Sequence, residues 1–286
     1  MDGLTERTVD VGGGVSLHVR ELGSGPLVVL LHGFPDCSHT WRHQLPALAA
    51  AGFHAVAPDL RGYDGSSRPS GVRAYGVGPL AADIAGLVSS LGETQADLVA
   101  HDWGGGVAWT FAMRHPEMLR RLAVLNAPHP VTFTRHLRSL RQLRRSWYLF
   151  AFQLPVMPEA GLARNDFASL RQVFRTASLR PGAFSADDIE RHVDALRPPG
   201  ALTAALNYYR AAFRDLGPHA TAPRRVGAPV LVLWGEQDRF LGPELAEAGS
   251  EWVPNARLRR VPEAGHWIQH DVPELVNDEL VRFLSG

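Results

Sequence analysis

The segment LVAHDWGGGVAW, Leu98 to Trp109, runs from a short apolar stretch into His101-Asp102-Trp103 and then three glycines. This is the pattern of a nucleophile elbow, a sharp strand-to-helix turn that presents one side chain at its tip. Serine usually holds that tip, and here it is Asp102. Asp238 lies in WGEQDRF, after the apolar run that ends at Trp234, and His266 lies in PEAGHWIQHD. Each follows the C-terminal end of a strand-like run, where parallel sheets gather their ligands. A lone aspartate after a strand is more often a helix cap. Three such residues in the order nucleophile, acid, histidine, beside an elbow, read as a catalytic triad. The loop LHGFPD, Leu31 to Asp36, adds a backbone N–H at Phe34 that can hold an oxyanion together with that of Trp103. His32-Gly33 also reads as a tight turn before Pro35, which is compatible with that role.

A carboxylate nucleophile selects its electrophile. At acyl carbon a serine forms an ester that water can cleave, but at sp3 carbon it would form an inert ether. A carboxylate attacking sp3 carbon forms an ester, and water deprotonated by His266 can then attack the Asp102 carbonyl. Asp102 thus points to displacement at alkyl carbon, with epoxides and alkyl halides as candidates. An opening epoxide becomes an alkoxide and needs a neutral acid such as tyrosine, whereas a halide needs only N–H donors. Of five tyrosines, three (Tyr148, Tyr208 and Tyr209) fall in one stretch of the chain.

These residues need a scaffold. Short apolar runs at 15–22, 26–33, 54–59, 96–101, 121–127, 228–235 and 256–261 read as strands. Helix-like segments lie between them at 38–51, 78–91, 104–115 and 272–284. The alternation predicts an α/β fold with a mostly parallel sheet flanked by helices. Between Pro130 and about Pro223 the strand rhythm stops in favour of Leu, Arg, Phe and Ala at helical spacing with proline breaks. The expected organisation is a core of residues 1–131 and 222–286 with an inserted helical cap, 132–221, carrying the three tyrosines. Within the cap, RHLRSLRQLRR (135–145) reads as an amphipathic helix, leucines inward and arginines in water. Trp147, Phe150, Phe152 and Trp267 are expected to line an apolar pocket or fill core. His101 reads as a packed residue and Cys37 as a small buried one.

The 286 residues contain 29 Lys plus Arg and 29 Asp plus Glu. This balance gives no reason to expect a nucleic acid or an anionic membrane as partner. One cysteine excludes an internal disulfide, and no Cys/His cluster has zinc spacing. A polar N-terminus and the lack of any apolar run near 20 residues give a soluble, cytoplasmic expectation. Every chemical role is filled by side chains and backbone amides, so no metal or organic cofactor is implied. Monomer and homodimer both stay open.

Taken together, HGFPD, AVAPDLRGYDGSS, HDWGGGVAW, LNAPHP, FQLP, LNYYR, GEQD and GHWIQHDVPELVN resemble the soluble epoxide hydrolases of the α/β-hydrolase fold over nearly the whole length. The resemblance implies conversion of an organic, hydrophobic epoxide to a vicinal diol. Asp102 would be the nucleophile, His266 the base and Asp238 its orienting acid. It also implies that Tyr148, five residues before Gln153, and Tyr209, directly before Arg210, grip the epoxide oxygen, while Tyr208 packs. Phe34, Trp103, Trp147, Phe150, Phe152 and Trp267 would contact substrate. Two departures stand out: FQLPV where the family often has F-Q-E-P-G, and Asp64 where glycine is common. Haloalkane dehalogenases share the aspartate elbow but not the tyrosine pair. A fluoroacetate dehalogenase would carry an arginine where Trp103 stands. A non-catalytic small-molecule receptor on the same fold is the remaining alternative, which an intact triad with both tyrosines disfavours.

Overall fold

The computed structural model of the chain describes residues 3–137, 139–215 and 224–286. Its strands are β1 (Thr5–Gly12), β2 (Val15–Leu22), β3 (Leu27–Leu31), β4 (His54–Pro58), β5 (Ala96–His101), β6 (Leu119–Leu125), β7 (Val230–Gly235) and β8 (Ala256–Val261). They form one sheet in the order β1-β2-β4-β3-β5-β6-β7-β8. The β1–β2 and β2–β4 pairs are antiparallel and all later pairs parallel. This is the α/β-hydrolase fold. Strands β3, β5 and β7 are buried at every residue, as expected where helices cover both faces of a sheet. Those helices are α1 (Gln44–Ala50), α2 (Val77–Ser90), α3 (Trp103–Arg114), α10 (Ile268–Asp271) and α11 (Pro273–Leu284).

Strand register brings the reactive loops together. Leu31 pairs with Ala100, His101 with Leu125, Leu125 with Leu233, and Gly235 with Val261. The chain therefore leaves β3, β5, β6, β7 and β8 along a single edge, and each exit carries a residue of the candidate site.

Between β6 and β7 run α4 (Pro130–His136), α5 (Leu140–Arg145), α6 (Trp147–Ala151), α7 (Met157–Ala177), α8 (Ala186–Asp194) and α9 (Ala201–Asp215). The expected core–cap boundary at 131/132 falls within α4, and that at 221/222 lies outside the described residues. The single amphipathic helix expected over 135–145 is broken instead. Helix α4 ends at His136, and α5 starts afresh with the Ser139 hydroxyl accepting the Gln142 N–H at 3.2 Å; Arg138 lies outside the described residues. Leu140 faces outward, 77% exposed, while Gln142 is fully buried. The Gln142 amide donates to Phe240 O and Ser146 Oγ and accepts from Gly242 N, which replaces the expected apolar contact with polar anchoring. Helix α7 is interrupted at Arg164–Phe167, where Asn165, Asp166 and Phe167 all have positive φ. No described helix is long and apolar enough to cross a membrane.

Candidate active site

Asp102 sits between β5 and α3 with φ 49° and ψ −120°, a conformation that a residue with a side chain adopts only when its surroundings force it. Glycines make the turn possible. A Cβ on Gly33 would lie 2.4 Å from the Asp102 carboxylate, one on Gly104 2.2 Å from Leu31 O, and one on Gly105 2.1 Å from the Ala127 methyl. A Cβ on Gly106 would make only ordinary contact, 3.8 Å from Trp103 Cε3, so only the first two glycines of the run are sterically required.

The Phe34 N–H donates to Asp102 Oδ1 at 2.9 Å. Trp103 is the first residue of α3, where an N–H has no partner within its own helix. With Oδ1 held, Oδ2 is the free oxygen, 3.8 Å from His266 Nε2. On its other side, His266 Nδ1 is 2.8 Å from Asp238 Oδ2. Asp238 in turn accepts from Asn126 Nδ2 at 2.8 Å and from the Phe240 and Leu241 N–H groups. The structure thus brings Asp102, His266, Asp238 and the Phe34 amide into one chain of contacts.

Charge in this chain is set by competition. Burial works against an imidazolium at His266, but the charge and hydrogen bond of Asp238, then the charges of Asp102 and Asp36, outweigh it and lift its pKa to about 9. Burial likewise opposes ionisation of Asp238, yet His266 and two backbone N–H groups keep its pKa below the ordinary carboxylate value.

Two tyrosines approach the elbow from the helical segment. Tyr148 on α6 and Tyr209 on α9 have ring centroids 6.0 Å apart at 82°. Tyr209 also packs on Phe34 and Trp103 at 5.5 and 4.9 Å. Burial, then the nearby Asp102 charge, pushes both phenol pKa values well above 10. Both stay neutral hydrogen-bond donors at any physiological pH. Phe152 joins the wall, packing on Phe34, Tyr148 and Tyr209. Tyr208 points away and donates to Arg61 O at 2.7 Å.

Two expected substrate contacts, Trp147 and Phe150, are corrected. Trp147 is 66% and Phe150 49% exposed on the outer side of α6, and Phe150 packs on Phe213. Adjacent helix positions point in different directions, so seating Tyr148 inward turns these two outward. Trp267 is buried beside His266, its indole N–H donating to Asp36 Oδ2 at 3.0 Å, and so buttresses the histidine. His101 is buried, with Nε2 2.9 Å from His266 O.

Several positioning residues escaped the sequence reading, although most sit in motifs it quoted. Asn126 ends β6 with φ 40° and links Asp238 to Gly235. His32 accepts the Leu60 N–H at Nε2 and contacts Gly33 O through Nδ1, fixing the loop that carries Phe34. Gln153 donates to both Leu149 O and Tyr209 O, tying α6 to α9. Arg210 donates to Phe152 O and Leu154 O and pairs with Glu159 at 2.7 Å. The Gln of FQLP and the Arg of LNYYR thus hold the two tyrosines in register. Asp36 is fully buried against Trp267, Thr40 and two histidines.

An elbow carboxylate with an acid–histidine pair on an eight-stranded, mostly parallel sheet defines an enzyme-like site of the α/β-hydrolase class, and a family described as the α/β hydrolase fold matches residues 26–273. The chain is 40% identical over 289 residues to the AB hydrolase superfamily protein YfhM of Bacillus subtilis, with both chains fully covered. It is 40% identical to mouse Epoxide hydrolase 4, covering 91% of this chain and 73% of that one. A crystal structure of Bacillus megaterium epoxide hydrolase with an inhibitor superposes with TM-score 0.90 at 37% identity, over 99% of this chain and all of the other. The chain belongs to the epoxide hydrolase family of α/β-hydrolase-fold enzymes.

Proposed function

We propose that this enzyme hydrolyses an organic, hydrophobic epoxide to a vicinal diol through an ester on Asp102, with water as the second substrate. One observation carries the reading: the elbow carboxylate has the His266–Asp238 pair on one side, with Oδ2 3.8 Å from His266 Nε2, and on the other lies close enough to two buried, neutral tyrosines for its charge to act on both. Asp102 Oδ2 attacks a ring carbon, the C–O bond breaks, and the departing oxygen takes a proton from Tyr148 or Tyr209. Ester formation removes the Asp102 charge, one of the influences that raise the His266 pKa. The imidazolium then gives up its proton, which restores the tyrosine. Neutral His266 next takes a proton from water, hydroxide adds to the Asp102 carbonyl carbon, and the oxyanion forms on the oxygen facing Phe34 N–H and the Trp103 amide. Collapse expels the alkoxide, which takes a proton from His266; the Asp102 carboxylic acid then gives its proton to the neutral imidazole, and the diol leaves with the carboxylate and the imidazolium both restored.

Intact-protein mass spectrometry on His266→Gln tests this. With its base removed, the enzyme offered styrene oxide gains the mass of the whole epoxide, mapped to Asp102. A gain of only the alkyl group from a 1-haloalkane, with none from the epoxide, would transfer the assignment to dehalogenation.

A further inference from the structure

The outer surface of the helical segment carries a patch that the site does not use. Leu140, Trp147, Phe150, Leu154, Val156 and Met157 are exposed at 77, 66, 49, 47, 74 and 69%. Leu140 and Arg144 are one turn apart on α5, Trp147 and Phe150 one turn apart on α6, and Leu154 follows just beyond α6. A stripe of this kind pointing at water is unusual for the surface of a soluble chain.

Charge is segregated in the same place. From Pro130 to Pro158 there are five arginines and no Asp or Glu, in a chain whose total charge is zero. Arg141 and Arg144 are exposed and make no ion pair among the described residues. Backbone strain gives a separate indication. Val156 has φ 67° and ψ −43°, and the Met157 N–H reaches back to Pro155 O at 2.7 Å, a strained γ-turn in which glycine would be relaxed. A β-branched side chain is held there and displayed to solvent, and strain of this kind concentrates at working surfaces.

We propose that this face binds an anionic lipid bilayer peripherally. Trp147, Phe150, Leu140, Leu154, Val156 and Met157 enter the headgroup–acyl boundary, and the arginines meet anionic headgroups. A nucleic acid would satisfy the arginines but leave the apolar side chains in water. A second copy would cover the apolar side chains, but a two-fold contact sets the same patch against itself and brings arginines of both copies together. An anionic membrane surface satisfies both, since amphipathic elements with Trp and Phe beside Lys or Arg bind there. Tyr148 lies on the inward side of the same helix, so the docked face is one helix thickness from the pocket.

The test is co-sedimentation of the full chain with vesicles of phosphatidylcholine mixed with phosphatidylglycerol, and with phosphatidylcholine alone. The expected result is binding to the mixed vesicles, weakened by salt and nearly absent on the neutral ones. Arg141→Glu with Arg144→Glu lowers partitioning by about tenfold or more. Trp147→Ser with Phe150→Ser lowers it comparably with every charge in place, and melting curves check that both variants fold. Tryptophan quenching of the unaltered chain by lipids brominated in the acyl region needs no variant, and it too is expected. Loss with the charge variant but not the apolar one, or no quenching, would reduce the contact to surface attraction and overturn insertion. A lipid-free dimer that dissolves in the Trp147→Ser, Phe150→Ser variant would assign the patch to a second copy instead. None of these outcomes depends on the epoxide reading.

Discussion

At the scale of single residues, the proposed reaction turns on charges whose balance would shift as the Asp102 ester forms. His266 is the clearest case. Its folded pKa of about 9 exceeds the ordinary 6.5, so its ionic contacts stabilise the fold fully below pH 6.5, and that contribution is lost as pH rises through 9. Asp102 supplies part of this upward influence, so Asp102→Asn is expected to lower the His266 pKa, read from the imidazole ring protons by NMR against pH. An unchanged value would remove the argument that ester formation converts the imidazolium into a base. The tyrosines make a separate prediction. Tyr148→Phe or Tyr209→Phe keeps the ring packing but deletes a donor, and each is expected to lower kcat/KM on an epoxide by about a hundredfold. The double variant is expected to fall further with the melting temperature little changed. Full activity in the double variant would refute their role.

At the scale of elements, the elbow and the helix turns show where glycine is needed. Gly105→Ala puts a methyl 2.1 Å from that of Ala127 and is expected to cost about 1–3 kcal/mol through overpacking. Gly106→Ala meets only an ordinary contact with the Trp103 ring at 3.8 Å in the same helix and is expected to stabilise by up to about 1 kcal/mol. Chemical denaturation of the two variants reads both signs. The sequence departures now have a physical meaning. Asp64 and Val156 both have positive φ, 39° and 67°, so the glycine that the family resemblance leads one to expect at each would answer a backbone demand. Val156→Gly is therefore expected to raise stability by about 1 kcal/mol, strain relief outweighing the extra freedom of the unfolded chain. The central parallel strands β3, β5 and β7 were legible because both faces are buried and their residues are almost continuously apolar. β1 was not, because this edge strand buries only Val9 and Val11 among TERTVDVG and reads as polar chain. The stretch 135–145 reads as one helix because periodicity carries no sign of the polar anchoring of Gln142, and the left-handed turn at Asn165–Phe167 leaves no such sign either.

At the scale of the whole molecule, the reactive groups could be read because the order elbow, acid, histidine survives any folding detail. Asn126, Gln153 and Arg210 could not be assigned, since their work is done largely across long sequence separations, through backbone carbonyls and two carboxylates, Asp238 and Glu159. The seam between core and helical segment had the same invisibility. There, Asp188 on α8 meets His39 at 2.6 Å and Arg42 at 3.2 Å, both from the core. Arg42 also donates to Ala183 O, and the Asp271 carboxylate accepts from Ser178 Oγ, Leu179 N and Arg180 N. Burial opposes the charge on Asp188, but hydrogen bonds from His39 and Ser185 and the Arg42 charge hold its pKa far below the usual 3.8. Its contribution to docking is thus fully present above pH 3.8 and is lost as pH falls toward the folded value. Asp188→Asn leaves Arg42 mostly buried without its counter-charge and is expected to cost about 1–3 kcal/mol. Because the ion pair spans the seam, the loss should show as faster amide exchange in α8 and its neighbours with β3, β5 and β7 still protected. Uniformly faster exchange across the sheet would instead mean that the two parts unfold as one unit and that Asp188 serves the fold as a whole.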